Sequence, residues 1–164
     1  MRQFKVVSDM TTLGSRKVLL VCSPGGHLQQ MLALEPAWRE MDRSWVTLQG
    51  ADVGYLLADE EVTLGHGPTN RSLRRLIQNI RLAWRLLRRD RPGAILSTGA
   101  GLAVPFFAIG KLLRIRLVYV ESVTRIETLS LSGRLVYLLA DSFFVQWPQA
   151  AQRRRRARYA GSVL

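Results

Sequence analysis

The chain has 164 residues, 48% of them apolar, one cysteine and a formal charge of +12. That is enough for one domain with a substantial core and too little for two ordinary ones. A single cysteine excludes an internal disulfide and fits a reducing compartment, and with only two histidines beside it no metal site is expected.

Residues 1–16 read as a flexible start with no sustained apolar segment of the secretory kind. Residues 17–164 read as a single domain ending in a basic tail. Lys17–Cys22 reads as a buried strand and His27–Met41 as a helix, with Ser-Pro-Gly-Gly-His between them. Ser44–Gln49 is a second strand, and Asp52 is placed to cap a short helix over 52–59. Glu61–Pro68 is a short strand and turn, and Arg71–Gly93 a long basic helix closed by Pro92 and Gly93. Strands follow at 94–97, 116–122 and 142–148, with helices at 102–113 and 129–140. The most apolar stretch, 101–113, contains Lys111 and falls short of the roughly 20 residues a bilayer requires. The predicted class is therefore α/β, a Rossmann-like parallel sheet with helices on both faces, cytosolic or peripheral to a membrane.

In such sheets ligands meet the carboxyl ends of the strands. Three loops there are polar or glycine-rich: Ser-Pro-Gly-Gly-His, Ser-Thr-Gly-Ala-Gly and Glu-Ser-Val-Thr-Arg. Ser23, Gly25 and Gly26 form either a plain tight turn or one that lets backbone N–H groups approach an anion. His27 opens a helix, where the positive dipole end favours a neutral imidazole, so it is a base or a cap. Thr98 supplies a hydroxyl, and Gly99 and Gly101 close approach. Glu121 is the carboxylate placed to reach a substrate hydroxyl, unless it forms a loop ion pair with Arg125; Ser122 lies between them. Cys22 reads as a core thiol rather than a nucleophile.

The charge is concentrated. Residues 71–91 carry a net +7 and residues 153–158 a net +5, so the rest of the chain is neutral. On a helical wheel Leu73, Leu76, Ile77, Ile80, Ala83, Trp84 and Leu87 form one stripe, with Leu82 and Leu86 outside it. Arg74, Arg81, Arg85 and Arg88 lie on the opposing and flanking arc. The stripe either packs into the core or faces a membrane surface.

Four segments carry a resemblance: Ser23–Met31, Ser97–Pro105, Val118–Pro148 and Tyr159–Leu164. The chain resembles the membrane-recruiting subunit of the two-part N-acetylglucosaminyltransferase of asparagine-linked glycosylation. It also resembles the related bacterial capsule and exopolysaccharide subunits of the PssD/CpsF group. The resemblance implies the amino-terminal, acceptor-side half of a split GT-B glycosyltransferase. The expected partners are a separate donor-binding subunit, a polyprenyl diphosphate-linked sugar and an anionic membrane surface. No cofactor is expected on this chain, because the UDP-sugar would sit on the partner. The resemblance implies His27 and Glu121 in catalysis, with Ser23, Gly25, Gly26, Thr98, Gly99, Gly101, Ser122 and Arg125 around the acceptor. Gln146, Trp147, Gly161 and Leu164 would meet the partner, Trp147 as an aromatic anchor. Eukaryotic members carry an amino-terminal membrane helix and none is visible here, so the basic helix or the partner is expected to hold the chain at the cytoplasmic face of the plasma membrane. Two alternatives are a basic nucleic-acid-binding module and a complete small nucleotide-dependent transferase; no nucleotide fingerprint supports the latter.

Overall fold

The computed structural model describes residues 17–69 and 72–163. The expected flexible start, Arg71 and Leu164 lie outside the described residues. The strands are β1 Val18–Val21, β2 Arg43–Thr47, β3 Val62–Leu64, β4 Ala94–Ser97, β5 Arg116–Val120, β6 Ser142–Val145 and β7 Ala157–Tyr159. The helices are α1 Gly26–Ala33, α2 Val53–Leu56, α3 Leu73–Asp90, α4 Ala103–Leu112, α5 Leu131–Val136 and α6 Pro148–Gln152, with a 3-10 turn at Glu35–Ala37.

The seven strands form one sheet in the order β3-β2-β1-β4-β5-β6-β7, every neighbouring pair parallel. This is the Rossmann-like order, running outward in both directions from β1. Alternate residues of β1 feed opposite faces: Leu19 and Val21 join one cluster, Val18, Leu20 and Cys22 the other. The first face is covered by α3, α4 and α5 through Ala83, Leu87, Phe106, Phe107 and Val136. The second is covered by α1 and the segments around it, through Leu28, Met31, Trp38 and Val53.

Four departures from the sequence expectations have physical causes. The helix after β1 stops at Ala33 because Pro36 lacks the N–H that would continue it, and a 3-10 turn follows. Asp52 does not cap α2; its Oδ2 accepts from Gly25 N at 2.7 Å. The run 153–158 is not a free tail, since Ala157–Tyr159 pairs with β6 and the Arg156 guanidinium donates to the carbonyls of Leu138 and Ala140.

The fourth departure concerns α3. Its buried residues are Asn79, Leu82, Ala83, Leu86 and Leu87. Of the predicted stripe, Leu73, Leu76, Ile77, Ile80 and Trp84 are exposed, whereas Ala83 and Leu87 are buried. At 100° per residue the two apolar arcs adjoin with centres about 100° apart. Leu82 and Leu86, which fall outside the predicted stripe, are its true core contacts. Leu87, expected at the membrane-facing surface, is 1% exposed and belongs to the core, which corrects that assignment.

Candidate functional site

β1, β4 and β5 end side by side, so their three loops meet. Gly25 takes φ +75°, a backbone that side-chain-bearing residues rarely adopt, and is held there by Asp52. Gly26 begins α1, and no side chain caps that helix. The first-turn N–H groups therefore lack a side-chain acceptor, and the Asp52 carboxylate sits beside them on Gly25 N.

His27 is clasped to the β4 loop by two bonds. Its Nδ1 donates to the Thr98 carbonyl at 2.8 Å, and Thr98 Oγ1 donates back to the His27 carbonyl at 2.7 Å. A carbonyl can only accept, so Nδ1 carries the proton and Nε2 the free lone pair. Gly99 packs against this imidazole: a Cβ there would lie 2.8 Å from His27 Cε1, and its φ of +123° also demands glycine. At Gly101 a Cβ would lie 3.0 Å from Thr69 Oγ1, a tight contact to which the Thr69 side chain would have to yield.

A groove of about 800 Å³ runs from this clasp across the carboxyl edge of the sheet. Its lining combines polar groups, among them Ser23, His27, Arg125, Ser130 and Ser132, with apolar side chains from the start of α3, Leu73 and Leu76, and from α5, Leu131 and Leu135. Arg125 is exposed and is the only cationic side chain lining this groove among the described residues. It does not pair with Glu121.

Glu121 is not placed for catalysis. It is 1% exposed and lies behind the groove. Oε1 accepts from Ser122 N and Ser130 Oγ, both at 2.9 Å, and Oε2 from Ser130 N at 3.0 Å. Ser130 in turn caps α5 by accepting from Gly133 N at 3.0 Å. The carboxylate thus ties the β5 loop to the helix that forms one groove wall. Ser122 is buried too, its hydroxyl bonded to Thr124, and Thr98 is wholly buried behind His27. Both are supports and not groove-lining contacts.

Gln146 is also internal, at 2% exposure, which removes it from an exposed partner surface. It donates to Gln30 Oε1 and the Glu121 carbonyl, and accepts from Ser162 Oγ and Val163 N. Gln30 Oε1 also accepts from Val123 N, and Gln30 Nε2 donates to the Gly26 carbonyl. This buried pair joins the glycine turn, the β5 loop and the docked 161–163 segment. Trp147 is half-buried, its Nε1 donating to the Val123 carbonyl at 2.6 Å. Gly161 turns the chain at φ +102°.

Sequence reasoning missed Asp52, Gln30, Leu131 and Leu135. The only local sign was the spacing of Leu131, Leu135 and Leu138 along one helical ridge. Cys22 is buried against Asp52, and burial pushes its thiol up to about 12, which fits a core residue and not a nucleophile. No helix among the described residues is long and apolar enough to cross a membrane.

The family model for "Oligosaccharide biosynthesis protein Alg14 like" matches residues 66–163. The UDP-N-acetylglucosamine transferase subunit ALG14 of Eremothecium gossypii is 36% identical over 91% of this chain and 80% of its own length. The human subunit of that name is 36% identical over 51% of this chain and 41% of its own. Among solved structures, Acinetobacter baumannii MurG superposes with a TM-score of 0.75 at 14% identity, and Rickettsia bellii UDP-N-acetylglucosamine 2-epimerase with 0.71 at 12%. The alignments cover 90% and 91% of this chain and 45% of each of those chains, so the fold is that of about half of each. The glycine-histidine clasp, the parallel sheet and the matches in sequence agree: this chain belongs to the family of Alg14-like oligosaccharide biosynthesis proteins.

Proposed function

We propose that the chain is the acceptor-binding, membrane-docking subunit of a two-chain glycosyltransferase and corresponds to the amino-terminal half of a GT-B enzyme. The partner half holds a UDP-sugar; UDP-N-acetylglucosamine is the first donor to test, from the names of the relatives. The acceptor is a polyprenyl diphosphate-linked sugar at the cytoplasmic face of the plasma membrane, and the product serves surface polysaccharide synthesis.

The observation that carries this reading is the groove beside His27, whose lining combines polar and apolar side chains. The start of α1 and Arg125 suit a diphosphate. His27 Nε2 is free to take the proton from the acceptor hydroxyl as that oxygen attacks the donor's anomeric carbon and UDP leaves. General-base help of this kind supplies about 10²–10⁴-fold. The leucines of the lining, Leu73, Leu76, Leu131 and Leu135, suit the first isoprene units.

The same α3 residues continue into the exposed ridge of Ile77, Ile80 and Trp84, flanked by Arg74, Arg81, Arg85 and Arg88. A ridge of that kind inserts at a bilayer interface while the arginines meet anionic headgroups, each worth about 1 kcal/mol. The groove then opens where the acceptor lies.

Reconstitution tests the proposal. The purified chain should transfer no sugar from UDP-N-acetylglucosamine to a polyprenyl diphosphate-linked acceptor, and adding the donor-half subunit should start transfer. Robust turnover by the chain alone would refute the split-enzyme assignment.

A further inference from the structure

At the amino edge of the sheet, opposite His27, the ends of α3 and α4 enclose a hollow of about 510 Å³. Arg88, Arg91 and Arg114 line it, with Trp84 as an aromatic wall. A second hollow of about 550 Å³ lies between the same helices and is lined by Ile80, Arg81, Trp84, Arg85 and Ile109. Trp84 is shared by both.

Two of the three arginines of the first hollow are uncommitted. Arg88 stacks on Trp84, its guanidinium carbon 5.2 Å from the ring centre. Arg91 and Arg114 follow the two helices in left-handed conformations, at φ +42° and +57°, and their backbone N–H groups donate to Leu87 and Lys111 carbonyls. Among the described residues neither guanidinium makes a hydrogen bond or ion pair. The nearby acids are already engaged, Asp90 by Arg89 and Asp141 by Lys111 and Leu117 N. A plain capping role would bond guanidinium to helix-end carbonyl, as Arg156 does at Leu138 and Ala140. The two helix ends contribute about −1 between them against three full positive charges, so the hollow keeps a net positive charge.

We propose that these two hollows form one phospholipid site. The phosphate of an anionic phospholipid sits among Arg88, Arg91 and Arg114, and one acyl chain lies across Trp84 onto Ile80 and Ile109. Guanidinium groups match phosphate oxygens in paired hydrogen bonds, which a lysine cluster would not do as well. The proposal rests on the reading of α3 as membrane-facing and adds a discrete ligand to it. α3 has 18 residues and so spans about 27 Å. A lipid held at its far end, with the acceptor at the near end, would lay the helix flat and set the height of the groove mouth.

The test is calorimetric titration of the full chain with phosphatidylglycerol bearing six-carbon chains, which stays monomeric in solution. Saturable one-to-one binding is expected, and R91Q/R114Q should weaken it at least tenfold. Removing equal charge from the 153–158 run, as R153Q/R155Q, should change it less than twofold. Phosphatidylcholine of the same chain length and inorganic phosphate should each bind at least tenfold more weakly. Equal loss in both double variants would reduce the site to overall charge, and equal binding of phosphate would make it a free-anion site; either overturns the proposal. So would unchanged binding by R91Q/R114Q, or phosphatidylcholine binding as tightly as phosphatidylglycerol. Such a failure alongside normal vesicle binding and normal transfer by the assembled pair would remove this site alone and leave the proposed function standing.

Discussion

Replacing Glu121 with Gln separates a structural carboxylate from a chemical one. The substitution keeps the shape and removes one oxygen. Both oxygens accept from backbone N–H groups, Oε1 from Ser122 and Oε2 from Ser130. Whichever way the amide turns, its NH₂ must face one of them. An unsatisfied buried donor costs about 1–3 kcal/mol, and the surviving bonds lose their charge assistance, so about 2–5 kcal/mol is expected in all. In a chain of this size that lowers the melting temperature by about 5–15 °C. The groove wall should loosen as well, because Ser130 caps α5, which carries Leu131 and Leu135. Thermal melts by circular dichroism, with transfer by the assembled pair assayed well below each melting temperature, give the answer. The expected result is a large fall in melting temperature, a raised acceptor KM and kcat within a few-fold of wild type. An unchanged melting temperature with a hundredfold loss of kcat would show that Glu121 acts on the substrate, and the structural assignment would fail.

His27→Ala should lower kcat of the assembled pair by about 10²–10⁴-fold, with the melt and partner binding retained; near wild-type turnover would leave His27 as a turn residue. Gly99→Ala should cost about 1–3 kcal/mol for its backbone alone and push the imbalance onto His27, so a variant that folds stably should still lose kcat; full activity would contradict the packing described. On anionic vesicles R74Q/R81Q/R85Q/R88Q should lose most salt-sensitive binding, whereas Trp84→Ala should lose the salt-resistant part with a moderate fall in melting temperature, because Trp84 is 38% exposed and the rest of its surface is packed; sedimentation equal to wild type for both would end the membrane role of α3. Deleting Gly161–Leu164 should weaken co-purification with the donor subunit and leave a folded domain; undiminished capture would assign those residues to the Gln146 contact alone.

Much of the fold was legible because strand and helix signals alternate with short, polar turns, and a parallel sheet brings such loops together. His27 and Arg125 came into one groove that way, with Gly99 packed against the His27 ring. Contacts made by shape at long range were not legible. Asp52 had the local signature of a helix cap, yet its carboxylate serves a turn 27 residues earlier. Gln30 and Gln146 are 116 residues apart and carry no motif. Glu121 lies in the expected loop but is buried among internal donors, since a sequence locates a carboxylate but not the donors that will surround it. β7 is three residues long and adjoins an arginine run, too short for any period to show.

The long helix marks the deeper limit. Its apolar residues cover more than half its circumference, so the wheel alone could not say which part meets the core. The hydrophobic effect has no direction of its own and is satisfied by either arc. The choice is made by α4, against which α3 packs, and by Asn79, whose amide brackets His66 by accepting from its N–H and donating to its carbonyl. That pair of directional bonds fixes the rotation of the helix at its amino-terminal half. Once Leu82 and Leu86 are turned inward, Ile77, Ile80 and Trp84 must face out beside the arginines. The exposed ridge is therefore a consequence of how the core is bonded, and the groove mouth, the ridge and the arginine hollow follow from one another along a single helix.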